Sequence, residues 1–150
     1  MENLNLETRP TGRSPKGKFY FGEKAVLLCK DRPKDCQVGN ESDFNKLYDD
    51  LFSCHYEYKS MFRTCGIDFN VATTSEAHHR FVGNMFLQIT VKSLSAISDD
   101  WIIFHNMEYE SEPKVYIHLD RKIVLIVGTS FLGEIKKGVF SIVGFGVKQH

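Results

Sequence analysis

The sequence lacks a long apolar segment, a secretory leader and an excess of either charge. No run of about 18 apolar residues, the length that spans a bilayer, occurs anywhere in the chain. The opening stretch MENLNLETRPTGRSPKGK has no apolar core of the kind that secretory signals need. These absences predict a soluble protein of the cytoplasm or nucleus, with no membrane partner.

The net charge is zero, because 19 Lys and Arg residues balance 19 Asp and Glu residues. Nucleic-acid-binding domains usually carry a basic excess that releases counterions from phosphates. Nucleic acid is therefore possible as a partner but is not supported by the net charge. Zero net charge also weakens self-repulsion, which favours association with a protein partner or a second copy.

Closely spaced cysteine pairs are also missing. Cys29 and Cys36 are separated by six residues, and Cys54 and Cys65 by ten. Structural zinc sites normally use pairs about two to four residues apart. We therefore expect no metal and no cofactor, and four reduced thiols, because the cytosol keeps thiols reduced.

No catalytic motif is complete, so no catalytic residue is assigned. Gly128 and Gly133 have the spacing of a phosphate-binding loop and follow a predicted strand. Glu134 and Ile135 stand where that motif requires Lys followed by Ser or Thr. We expect a strand-to-strand turn here, and an interaction protein is more consistent with the sequence than an enzyme.

Residues 1–17 contain prolines, glycines and few apolar side chains, which is typical of a flexible arm. The arm is expected to precede one domain at 18–150, and it is either a solvated tail or a contact for phosphate or an acidic partner. A predicted turn later in the chain adds two lysines that extend this basic patch if they lie on the same face. The candidate binding residues are Arg9, Arg13, Lys16, Lys18, Lys136 and Lys137.

Two helices are predicted from apolar side chains spaced three and four residues apart. The first begins after Ser42 and ends near Cys65, with Gly66 as its stop signal. The second begins at Thr73, with Glu76 completing a capping box, and runs to about residue 96. His78 and His79 are expected on its surface, because its apolar stripe passes through neighbouring positions.

The remaining apolar runs predict strands. Residues 18–30 form a hairpin or a strand with a bulge at Gly22, and further strands cover 101–107, 115–120, 122–128 and 139–147. The resulting fold class is α+β, with a mostly antiparallel sheet of four to six strands packed on one face by two helices.

The last part of the chain resembles two known families. The run from Val124 to Gln149, with IVG followed by VFSIVGFGVKQ, resembles the paired long strands of nuclear-transport-factor-2-like domains. That resemblance implies a curved sheet over early helices. The segment KKGVFSIVGFGVK resembles the glycine–hydrophobic strand of Schlafen- and Alba-type nucleic-acid modules. Neither resemblance assigns a functional residue.

Aromatic residues make up 13% of the chain, and tyrosine is enriched in protein interfaces. We therefore expect a non-enzymatic protein–protein interaction module, a subunit or adaptor of a larger intracellular complex. The alternative is a nucleic-acid-associated factor that uses the basic arm. The tyrosines either contact a partner or cap the core of the domain itself, whereas Trp101 is expected in the core. The candidate contacts are Tyr56, Tyr58, Tyr109 and Tyr116.

Overall fold

The computed structural model describes residues 17–30, 36–89 and 100–149, and builds them around a seven-stranded mixed sheet. The strands are β1 (Lys18–Phe21), β2 (Tyr58–Thr64), β3 (Ile67–Thr73), β4 (Leu87–Ile89), β5 (Trp101–Asn106), β6 (Lys114–His118) and β7 (Ile123–Val127). The helices are α1 (Glu23–Lys30), α2 (Glu41–Phe52), α3 (Glu76–Met85) and α4 (Glu134–Gln149).

The sheet has the order β1-β6-β7-β5-β3-β2-β4. Its three central strands β7, β5 and β3 run parallel to one another, while β6 and β2 pair antiparallel on either side of them. Strand β1 then adds to β6 in parallel. All five residues of β7 are buried, as expected for a strand that is covered on both faces.

Helices cover both faces of the sheet, because alternate strand residues feed two separate apolar clusters. One cluster joins the sheet to α1, α3 and α4, through buried residues that include Ala25, Val82 and Val139. The other joins the opposite face to α2 and is rich in aromatic side chains. Trp101 is 6% exposed in the first cluster, so its predicted core position is confirmed.

The predicted fold class is wrong. The sheet is mixed and has seven strands rather than a mostly antiparallel sheet of four to six, and four helices cover it instead of two. Part of the reason is that α3 lies between β3 and β5 in the chain and lets them run parallel.

The predicted first helix is a helix only as far as Phe52. Asn40, not Ser42, caps α2, since its side chain accepts a hydrogen bond from the backbone N–H of Ser42. The second half of the predicted helix is β2, and Cys65 and Gly66 form the turn into β3. Both turn residues have positive φ, 49° and 77°, which two-residue hairpins require.

The predicted last strand, 139–147, is also wrong, because it lies inside α4. The buried residues Ile135, Val139 and Ile142 recur at helical spacing, while Phe140 between them is exposed. The strand-based resemblances of this segment therefore do not hold. Strands at 101–107, 115–120 and 122–128 are confirmed as β5, β6 and β7, within a residue or two at the ends.

Residues 18–30 form β1 followed by α1, not a hairpin. The chain then returns to β1, where Tyr20 hydrogen-bonds the backbone of Gln37 and Gly39. This return brings Cys29 and Cys36 to a Cα–Cα distance of 5.1 Å, and the two form a disulfide. The expectation of four thiols is thus wrong for this pair, whereas Cys54 and Cys65 are free.

Residues 1–16, which carry most of the predicted basic arm, lie outside the described residues. The predicted second helix is wrong beyond Met85, because Leu87–Ile89 form β4 and pair with β2, and the rest of its predicted length lies outside the described residues. No helix within the described ranges is long and apolar enough to cross a membrane.

Candidate functional site

Polar side chains meet where the parallel strands end. Thr73 and His105 are register partners at the carboxyl ends of β3 and β5, and β7 ends beside them at Val127. Because β6 runs antiparallel to β7 and β1 runs with β6, the first residue of β1 lies at the same edge. That residue is Lys18, which pairs with Val115. Ligands of open α/β sheets bind outside this edge.

The turn from β7 leads directly into α4, so the predicted strand-to-strand turn is wrong. Gly128 adopts φ +77°, and a Cβ atom there would overlap the backbone of Glu112 and Pro113. The Oγ1 atom of Thr129 accepts a hydrogen bond from the Phe131 N–H at 3.2 Å. The Phe131 carbonyl then accepts from the Glu134 N–H at 3.1 Å, which starts the helix.

Glu134 is an acid buried at the first position of α4. It is 4% exposed, and its Oε1 atom has no hydrogen-bond partner. Burial raises the pKa of Glu134, and the positive charges of Lys137 and Lys18 act in the opposite direction. The predicted basic arm and the predicted lysine pair are therefore brought together, through Lys18 and Lys137, around one buried carboxyl group.

Each lysine of this cluster is held by a further contact. The Nζ atom of Lys18 donates to Ser141 Oγ at 2.9 Å, and Ser141 Oγ donates to the carbonyl of Lys137 at 3.1 Å. The Nζ atom of Lys137 lies 5.3 Å from the centre of the Phe131 ring. The Nζ atom of Lys136 lies 5.6 Å from the ring of the exposed Phe140. We call Lys18, Lys136, Lys137 and Glu134 the α4 cluster.

His78 and His105 lie behind this cluster and are both buried, at 2% and 0% exposure. Their rings stack with centres 4.1 Å apart. The expectation that His78 lies on the surface is wrong, because Ser75 rather than Thr73 caps α3. The buried residues of α3 are His78 and Val82, four residues apart. The sequence signal for this helix start was the run of hydroxyl residues before His78, because Ser75, the last of them, is the residue that caps α3.

The candidate tyrosines do not form one surface. Tyr56 and Tyr116 are buried at 6% and 8% exposure, and Tyr56 donates to the Leu51 carbonyl at 2.8 Å. Tyr109 is half-buried and donates to Asp50 at 2.7 Å, while the ring of half-buried Tyr58 lies tilted against that of His79, with centres 5.6 Å apart. The structure thus places two of the four in the core, and a partner-binding role for the tyrosines stays a prediction.

A cavity of about 440 Å³ lies at the same edge on the other face of the sheet, and its lining contains no Lys or Arg. Its lining residues are Cys54, His55, Glu57, Thr74, Asn106, Glu108 and Tyr109. The α4 cluster, by contrast, contains three lysines. In the part of the chain that the structure describes, no group of three or more His, Cys, Asp or Glu side chains is arranged to hold a metal ion.

Comparison with known proteins points to one family. The sequence model of phosphoenolpyruvate carboxykinase matches residues 2–150. Proteins named phosphoenolpyruvate carboxykinase (ATP) from Bacillus cereus strain AH187 and Bacillus anthracis strain A0248 are each 29% identical to this chain over 153 residues. Each match covers 90% of this chain and 29% of the relative, so the chain spans less than a third of the length of these curated relatives.

These matches overturn the expectation of a non-enzymatic interaction module or adaptor, together with its nucleic-acid alternative. The relatives are named as enzymes. Sequence reasoning missed this because no catalytic motif is complete in the sequence, and Glu134 stands where a phosphate-binding loop requires lysine. Lys136 and Lys137 follow two and three positions after Glu134, on the first turn of α4.

Proposed function

The chain belongs to the phosphoenolpyruvate carboxykinase family, and we propose that its α4 cluster binds the anionic groups of phosphoenolpyruvate for phosphoryl transfer with ATP. The relatives are named for this compound and this nucleotide. Phosphoenolpyruvate carries a phosphate and a carboxylate, so a site that binds it requires several cations and few competing anions.

The meeting of Lys18 and Lys137 beside Glu134 carries this proposal: the Nζ atom of Lys18 donates to Ser141 Oγ, which donates to the carbonyl of Lys137. The positive charges of Lys18 and Lys137 act on the buried carboxyl group of Glu134, and Lys136 lies next to Lys137 on the same helix. The start of α4 adds a positive partial charge from the aligned peptide dipoles of the helix. Phosphoryl transfer depends on positive charge placed where negative charge develops, because the protein does little covalent chemistry in this reaction.

The basic arm fits the same role. Lys18 continues directly from residues that include Arg9, Arg13 and Lys16, so the arm enters the domain at the α4 cluster. We propose that these side chains supply further positive charge to the bound anion. We also propose that the protein is located in the cytoplasm, because an enzyme that uses ATP requires a compartment that supplies ATP.

The test is calorimetric titration of the full chain with phosphoenolpyruvate, comparing Lys137→Ala with wild type. Loss of a hydrogen bond to a charged group costs roughly 1.5–3 kcal/mol, so the Kd is expected to rise by about tenfold or more. Lys18→Ala is expected to act in the same direction. Added salt is expected to weaken wild-type binding, since the lysines are partly exposed.

Lys59→Ala is the matched control, because Lys59 is an exposed lysine on β2, three strands from β7 in the sheet order. It removes the same charge from the protein and is expected to leave the Kd within about twofold of wild type. Equal effects of Lys137→Ala and Lys59→Ala, or no binding by wild type at millimolar phosphoenolpyruvate, would contradict the proposed function.

A further inference from the structure

Each of the two buried histidines contacts a neighbouring hydroxyl group through its Nδ1 atom. Thr73 Oγ1 accepts a hydrogen bond from the Ser75 N–H at 3.0 Å, so its own proton is free to reach His105 Nδ1 at 2.8 Å. Ser75 Oγ accepts from the His78 N–H at 3.2 Å and lies 2.8 Å from His78 Nδ1. The carbonyl acceptor at His78 Nε2 assigns the ring proton of His78 to Nε2, so that its Nδ1 accepts from Ser75.

The His78 proton has an acceptor in the turn between β7 and α4. His78 Nε2 donates to the Phe131 carbonyl at 3.2 Å. The Phe131 carbonyl also accepts a hydrogen bond from the N–H of Glu134, the first residue of α4. His78 therefore shares an acceptor with the start of the helix. The backbone of Thr129 lies close enough to His105 to raise its pKa against the larger effect of burial. The contact of His78 with the Phe131 carbonyl is thus the one that joins the stacked pair to the start of α4.

Phe131 links this contact to the α4 cluster. Its ring packs against Gly133, where an added Cβ atom would lie 2.9 Å from the ring. The ring also contacts the ammonium group of Lys137, which lies 5.3 Å from the ring centre. A cation over an aromatic face is attracted to it, so the orientation of the ring influences where the ammonium group lies.

We propose that His78 is a positioning residue, which fixes Phe131 and through it places Lys137 for anion binding. His105 supports His78 by stacking against the His78 ring, and the hydroxyl group of Thr73 contacts His105 in turn. The effect of His78 on anion binding rests on the proposed function, whereas its effect on the turn between β7 and α4 does not depend on any ligand.

The test compares His78→Gln with His78→Asn in the full chain. The amide of Gln reaches the position of Nε2 and can still donate to the Phe131 carbonyl, whereas that of Asn reaches only the position of Nδ1. His78→Asn is expected to speed hydrogen exchange at the N–H groups of Glu134 and Lys137 by about tenfold, while His78→Gln stays within about threefold of wild type. The Kd for phosphoenolpyruvate is expected to rise more in His78→Asn than in His78→Gln.

Phe131→Leu is a second variant, at a half-buried position where folding is not at stake. It keeps the carbonyl and removes the aromatic face, so phosphoenolpyruvate is expected to bind about threefold more weakly while exchange at Glu134 stays unchanged. Equal exchange rates in His78→Asn and His78→Gln would overturn the positioning role. If exchange differs as expected but wild type does not bind phosphoenolpyruvate, the proposed function fails and the contact of His78 with the turn stands.

Discussion

At the scale of single residues, burial controls the chemistry of the site. Burial is the largest cause of the lowered pKa of both His78 and His105, and of the raised pKa of Glu134. In each case the low-dielectric interior disfavours the charged form of the side chain. All three groups lie within or beside one turn, which concentrates perturbed acid–base groups at the carboxyl edge of the sheet.

The histidines predict how stability depends on pH. Burial lowers the pKa of His105 from 6.5 to about 3, so below pH 6.5 the unfolded chain gains a proton that the folded chain does not. The free energy of unfolding should therefore fall as the pH falls, by about 2 kcal/mol between pH 8 and pH 5 from His105 alone. Urea unfolding at the two pH values measures the difference.

His105→Asn is the control for this prediction. Asn can still accept from Thr73 through its side-chain oxygen but does not titrate. The variant should lose the part of the pH dependence that His105 contributes, so its unfolding free energy should change less between pH 8 and pH 5. The same loss of stability in wild type and variant would assign the acid sensitivity to other groups.

At the scale of elements, local pattern predicted some boundaries and not others. The strands β5, β6 and β7 were predictable because their apolar runs are bounded by polar turns. The segment after Phe52 was not, because Tyr58, Ser60 and Phe62 alternate as a strand while other apolar residues nearby fit a helix. This segment is a strand because it pairs with β3 across the turn. Such pairing depends on residues on both sides of the turn, so it cannot be predicted from the pattern of either segment alone.

The candidate site was predictable only in part. The charge pattern allowed Lys136 and Lys137 to extend the basic patch that includes Lys18 if they lie on the same face, and in the structure the charges of Lys18 and Lys137 both act on Glu134. It did not reveal Glu134, because the sequence predicts a turn between strands at this residue and a glutamate is almost never fully buried unless it is paired. Its burial follows from the meeting of β1, β7 and α4, which are distant in sequence.

Two glycines predict opposite effects of the same substitution. Gly128→Ala places a side chain at φ +77° against the backbone of Glu112, and should destabilise the fold by at least about 2 kcal/mol. Gly83→Ala lies in α3 with open space around the added Cβ atom. It should stabilise the fold by roughly 0.5–1 kcal/mol, because alanine has the higher helix propensity.

Thermal unfolding of the two alanine variants beside wild type tests this account of the turn. A rise in Tm for Gly83→Ala shows that the method detects changes of this size. If Gly128→Ala unfolds at the same temperature as wild type, the turn into α4 does not require the backbone conformation described here.

At the scale of the whole molecule, the parallel strands and the helix that follows them place distant charges together. Residues 18 and 137 are separated by almost the whole described chain, and both act on Glu134 because β1 and α4 meet at one edge of the sheet. Membership of the phosphoenolpyruvate carboxykinase family gives this arrangement a ligand to test. The anion-binding role of the α4 cluster is the central claim.

The most direct measurement is a titration of the 15N-labelled chain with phosphoenolpyruvate, followed by the NMR shifts of its backbone amides. Saturable shifts are predicted at the turn 129–133, the first turn of α4 and Lys18, with much smaller shifts in β2 and β4. Shifts that concentrate around the cavity beside Tyr109, or no saturable shift at all, would contradict the claim that the α4 cluster binds this ligand.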